Sequence, residues 1–96
     1  MHAALIDVLL EARTLLSRPD NDFSRSTWDD AAEAVAEIDA ALKRVRADDV
    51  APGRMPIAIT VLFAPTGPLQ EVALSSGWGD EFLAVADRFD TAIAAP

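Results

Sequence analysis

The chain has no cysteine, so neither a disulfide framework nor a thiolate metal site is open to it. It has one histidine, His2, near an end of the sequence, where side chains are usually poorly held. A Ser–His or Cys–His nucleophilic centre therefore lacks a positioned base that titrates near neutral pH. Glycine is also scarce, with four residues in all. Gly77-Trp78-Gly79 echoes the opening of a phosphate-binding loop. The final glycine of that motif is missing, however, and Asp80 and Glu81 would repel a phosphate at the helix start. Nor does a further strand follow to complete a dinucleotide-binding unit. No run approaches the length of a membrane span, and 57–65 is only strand-sized. The first ten residues have no basic segment and carry Asp7 inside their apolar stretch, unlike a secretory signal. A cytoplasmic protein without cofactor or metal is the expectation.

What is present suffices for a fold. Ninety-six residues, 51% of them hydrophobic, suit a single domain over 1–96. A chain of this size buries roughly 60–65% of its unfolded surface. Alanine makes up much of the apolar fraction and fills little volume, so Leu, Ile, Val, four Phe and two Trp carry the core. The net charge of −8 argues against binding nucleic acid or an anionic membrane. That charge is uneven. Asp20, Asp22, Asp29, Asp30, Glu33, Glu37 and Asp39 face one base, Arg25, before Lys43, Arg44, Arg46 and Arg54 follow. The acidic block reads either as a docking surface for a basic partner or as a solvated helix face.

Apolar spacing predicts helices over 3–17, 27–47 and 80–94. Asp7, Glu11, Thr14 and Arg18 mark the polar stripe of the first. Trp28, Ala31, Val35, Ile38, Leu42 and Val45 form the seam of the second, capped by Ser26 or Thr27. Phe82, Ala86, Phe89 and Ile93 line the third, which Gly79 or Asp80 would cap. Between them, β-branched residues predict a strand over 57–64, with Ile57, Ile59, Val61 and Phe63 on one face. Pro65-Thr66-Gly67-Pro68 reads as a turn and 69–75 as the return strand. The expected fold is thus α+β, in the order α-α-β-β-α, with an antiparallel hairpin packed against amphipathic helices. A lone hairpin leaves both edges unpaired, so a homodimer completing a four-stranded sheet is expected.

Asp29, Glu33 and Glu37 lie four residues apart and would stack on one helix face, as helical metal-binding carboxylates do. No Glu-x-x-His or Glu-x-x-Glu pair on another helix matches them, so a solvated or partner-facing surface is the simpler reading. Asp20-Asn21-Asp22 has the acids of a calcium loop without its glycine and distal glutamate, and reads as a turn. The run 62–82 holds more idiosyncratic residues than a generic hairpin needs. Gln70 and Glu71 follow a proline-bracketed turn, and Trp78 stands between two glycines. Trp78 is either a binding anchor or a lid on the core. Trp28, at the start of a seam, is expected in the core. The function these features favour is a small acidic protein-interaction module, such as an immunity- or antitoxin-type inhibitor masking a basic partner. Trp78, Gln70, Glu71, Asp29, Glu33 and Glu37 are its candidate contacts. A structural or regulatory homodimer and a carboxylate-dependent metal enzyme are the alternatives.

Overall fold

The computed structural model describes residues 2–48, 55–65 and 67–94. The expected loop at 49–54 and Thr66 of the expected turn lie outside the described residues. Among the described residues, four helices of nine residues or more form the body: α1 (Ala3–Leu16), α2 (Ala31–Arg46), α4 (Pro68–Ser76) and α5 (Gly79–Ile93). Between α2 and α4 lies a short α3 (Ile57–Thr60) that tightens into a 3-10 turn (Val61–Phe63). There is no strand among the described residues. The described chain is all-helical, and the α+β expectation is wrong.

The error has a physical source at each expected strand. In 57–64 every residue but Thr60 is apolar, so no polar marks distinguish a period of two from one of 3.6. Burial follows the helical period. Ile59, Leu62 and Phe63 are buried, whereas Ile57 is 83% and Val61 45% exposed. The Pro56 carbonyl starts the turn, accepting from the backbone N–H of Ile59 (3.0 Å) and Thr60 (3.1 Å).

In 69–75, alternation would put Glu71 on one face with Leu69 and Ala73. A helix instead gathers Leu69, Val72 and Ala73 on one buried stripe. Pro68 sits at the first turn, where its fixed φ and missing N–H cost nothing. Gly67 permits the doubling back before it. A Cβ there would meet the Val61 carbonyl oxygen at 2.6 Å and that of Ala64 at 2.8 Å. The helix closes at Gly77, φ +84°, with the Trp78 N–H donating to the Ala73 carbonyl at 3.0 Å. This is the Schellman arrangement that favours glycine.

Among the described residues there are no strand edges, so the expected four-stranded sheet shared by two copies has nothing there to form from. The 20-residue stretch Ile57–Ser76 does have the length and composition to cross a bilayer, which the hairpin reading hid. In the fold its Ile59, Leu62, Phe63, Leu69, Val72 and Ala73 are all in the core.

α1 is the central element and packs on both α2 and α5; α4 packs on α5 and the 3-10 turn. Its wide apolar face explains this: Leu5, Val8, Leu9, Ala12, Leu15 and Leu16 are all buried. α2 begins at Ala31, four residues later than expected. Its cap is Asp30, whose carboxylate accepts from the Glu33 N–H at 2.9 Å. The Ser26 hydroxyl instead accepts from the Trp28 N–H at 3.1 Å, holding Trp28 in an entry turn ahead of the helix. Ion pairs tie the helices at their rims: Arg13 to Asp39 (2.8 Å), Arg18 to Glu81 (3.4 Å) and Arg88 to Glu11. His2, expected at a loose terminus, is held by Asp48 at 2.6 Å. Asp48 itself has φ +58°, a left-handed conformation that Asp tolerates better than most residues.

Candidate partner-binding cleft

α5 is amphipathic, with Phe82, Val85 and Phe89 buried. The chain 57–65 lies alongside it, and the two leave an open cleft of about 480 Å³ between them. Phe63 from the 3-10 turn stacks on Phe89 from α5, ring centroids 4.2 Å apart and planes 14° from parallel. The pair forms the floor. Phe82 and Ala86 continue the apolar lining, and the half-buried Gln70 contributes from the first turn of α4. Leu83, 59% exposed, stands at the rim one turn before Asp87, with Asp90 one turn further. The carboxylates of Asp87 and Asp90 have no ion-pair partner among the described residues. The result is an apolar floor with two carboxylates at its edge that no described residue pairs.

Among the described residues of this lining, the ionisable groups are Asp87 and Asp90, and no histidine or lysine stands beside the Thr60 hydroxyl. Among the described residues, no group of three or more His, Asp or Glu side chains is placed to hold a metal ion. The volume falls in the range of pockets that take a small ligand or a few side chains of a larger one. An apolar group carrying a cation matches both parts of the cleft.

The residues singled out from sequence are dispersed. Trp78 is only 2% exposed, and its indole N–H donates to the Asn21 side-chain oxygen at 2.8 Å. The Asn21 amide nitrogen in turn donates to the Leu15 carbonyl at 2.8 Å. Together with a 2.8 Å bond from the Asp22 N–H to the Ser76 hydroxyl, this clamps the 20–22 turn between the end of α1 and the α4–α5 corner. Trp78 is thus a lid on the core. Trp28 is 3% exposed and donates its indole N–H to Glu37. Gln70 alone of the six lines the cleft. Glu71 borders a separate depression with Asp22 and Arg25. Asp29 precedes α2, so it cannot complete a helical stack with Glu33 and Glu37, which are exposed on that helix.

The Asp22 carboxyl is held below its ordinary value of 3.8 by hydrogen bonds from the Ser24 hydroxyl and then the Ser24 N–H. Slight desolvation opposes these, and the nearby Arg25 charge adds to them.

Sequence reasoning did not select Phe63, Phe89, Leu83, Asp87 or Asp90. The i, i+4, i+7 spacing of Leu83, Asp87 and Asp90 was available on a correctly expected helical segment. Their pairing with Phe63 has no local signal, because β-branched content places Phe63 in an expected strand. The class these observations define is a small acidic helical protein with an open, acid-rimmed apolar cleft. No protein-family model, curated protein or solved structure matches the chain.

Proposed function

We propose that this is a small acidic protein-interaction module that docks a basic, amphipathic segment of a partner protein in the cleft between 57–65 and α5. The observation that carries this reading is the pairing of the stacked Phe63–Phe89 floor with Asp87 and Asp90, whose carboxylates no described residue pairs. An apolar side chain from the partner packs on the exposed Leu83 against the edge of the ring pair, and lysine or arginine residues one helical turn apart meet the two carboxylates. Aromatic floors of this kind are where binding energy concentrates, while rim charges act chiefly on association rate. The net charge of −8 would speed the encounter with a basic partner and lose that effect in salt. An inhibitor that masks a basic protein, of immunity or antitoxin type, is a role in which both properties are useful.

The test is an amide NMR titration with a short synthetic amphipathic helix of leucine and lysine, and with its glutamate-for-lysine counterpart. The basic peptide is expected to shift Ala64, Leu83, Ala86, Asp87 and Asp90, with an affinity that falls in salt. Asp87→Asn/Asp90→Asn should weaken it. Shifts confined to the acidic residues around Asp29, Asp30 and Glu33, or equal binding of the acidic peptide, would overturn the assignment of the cleft.

A further inference from the structure

A second face of the molecule has a different character. A smaller groove of about 180 Å³ runs between α2 and α3, with Ala40, Ala41, Ala58, Ile59 and Leu62 in its lining. Beside it Ile57 is 83% exposed and Val61 45% exposed. Val61 follows Ile57 by four residues and Ala58 by three, so all three share the outer side of that short segment. Glu37 and Arg44 border the groove. They lie seven residues apart on α2, about two turns and about 10 Å along its axis, and so on the same flank. Ala40 and Ala41 fall midway between them.

We infer that this face pairs with the same face of a second copy, the two α2 helices running antiparallel about a two-fold axis near Ala40 and Ala41. The argument is charge complementarity. A two-fold axis at that midpoint sets Glu37 of one copy opposite Arg44 of the other, and repeats the contact by symmetry. A parallel arrangement would instead set like charges together. Glu37 also accepts the Trp28 indole and Arg44 also has a partner within its own chain; a carboxylate and a guanidinium each have capacity for further bonds. Pairing covers Ile57 and Val61, which the single chain leaves in water. This dimer needs no strand edges, and it leaves the Phe63–Phe89 cleft on another side of α3. It stands independently of the reading of that cleft.

Sedimentation velocity of the full chain tests it. The wild type is expected at twice the mass of one chain at micromolar concentration, and Ile57→Asp as a monomer with an unchanged helical circular dichroism spectrum. Glu37→Arg and Arg44→Glu should each weaken self-association about tenfold or more, because each sets like charges opposite one another. An equimolar mixture of those two variants should recover the wild-type dimer, since each then meets its opposite charge. Recovery in the mixture separates a broken interface from a broken fold. A wild type that stays monomeric, a dimer indifferent to Ile57→Asp, or variants that fold but do not recover on mixing would overturn the proposal.

Discussion

The Asn21 side chain makes two hydrogen bonds of 2.8 Å, one accepted from the buried Trp78 indole and one donated to the Leu15 carbonyl. Asn21→Ala removes both. The Leu15 carbonyl keeps a bond from the Arg18 N–H at 3.3 Å, so its loss matters little. The indole N–H is different. Trp78 is 2% exposed, and its donor would be left without its protein partner in a part-buried site. An orphaned buried donor costs about 1–3 kcal/mol. A central value of about 2 kcal/mol lowers the melting temperature of a domain this size by about 8–16 °C. Urea unfolding followed by circular dichroism at the helical wavelength measures this directly. Trp78→Phe supplies the control, because it removes the donor. In that background Asn21→Ala should cost about 1 kcal/mol less than in the wild type, the signature of a direct contact. A change within about 0.5 kcal/mol for Asn21→Ala alone, or strict additivity of the two substitutions, would refute the clamp.

Gly67→Ala should destabilise by about 1–3 kcal/mol, because the new Cβ meets two backbone carbonyl oxygens that cannot swing aside. Gly77→Ala has open space, so it should cost only the left-handed strain of about 1–2 kcal/mol; thermal melts that show no loss for either would contradict the turn geometry. Asp30→Ala should cost about 1 kcal/mol by removing the α2 cap, whereas Thr27→Ala should stay within about 0.5 kcal/mol, and the reverse order in denaturant melts would move the cap back to the sequence-expected position. The Asp22 carboxyl should titrate below 3.8 by NMR, and Ser24→Ala should move it upward. Because the folded value is depressed, its stabilising contribution is complete above the ordinary carboxyl value and is lost as pH falls through the lowered one; a midpoint at or above 3.8 would contradict the hydrogen bonds from Ser24.

The helices that announce themselves in the sequence do so through polar residues. Asp7, Glu11, Thr14 and Arg18 outline α1, and Asp80, Glu81 and Asp87 interrupt the apolar residues of α5. The run 57–64 has only Thr60 to break its apolar character, and β-branched content then favours strand on local grounds. Tertiary burial decides the matter: Ile59, Leu62 and Phe63 fill the space beside α2, α4 and α5 only at helical spacing. Trp78 was legible as special, flanked by glycines, but its role depends on Asn21, 57 residues earlier in the chain. No local pattern carries such a contact. The cap of α2 differs from the expected one for a related reason: the Ser26 hydroxyl is engaged in the Trp28 turn, and Asp30 caps the helix.

The candidate cleft shows the same division. Gln70 and the run 62–82 drew attention by composition, and the cleft takes Phe63, Ala64, Pro65, Gln70 and Phe82 from that run. The acidic rim comes instead from α5, outside it. A hairpin would have turned Phe63 toward a sheet face with Ile57, Ile59 and Val61. The helical turn separates it from the exposed Ile57 and Val61 and brings it onto Phe89.

That placement of Phe63 is the most direct point of test. Cα chemical shifts and nuclear Overhauser contacts over 57–63 and 68–76 are expected to show helical shifts, successive amide–amide contacts and strong cross-peaks between the Phe63 and Phe89 rings, whose centroids are 4.2 Å apart. Strand shifts with cross-strand contacts between 57–64 and 69–75, and no contact between those two rings, would contradict both the helical fold and the cleft built on it.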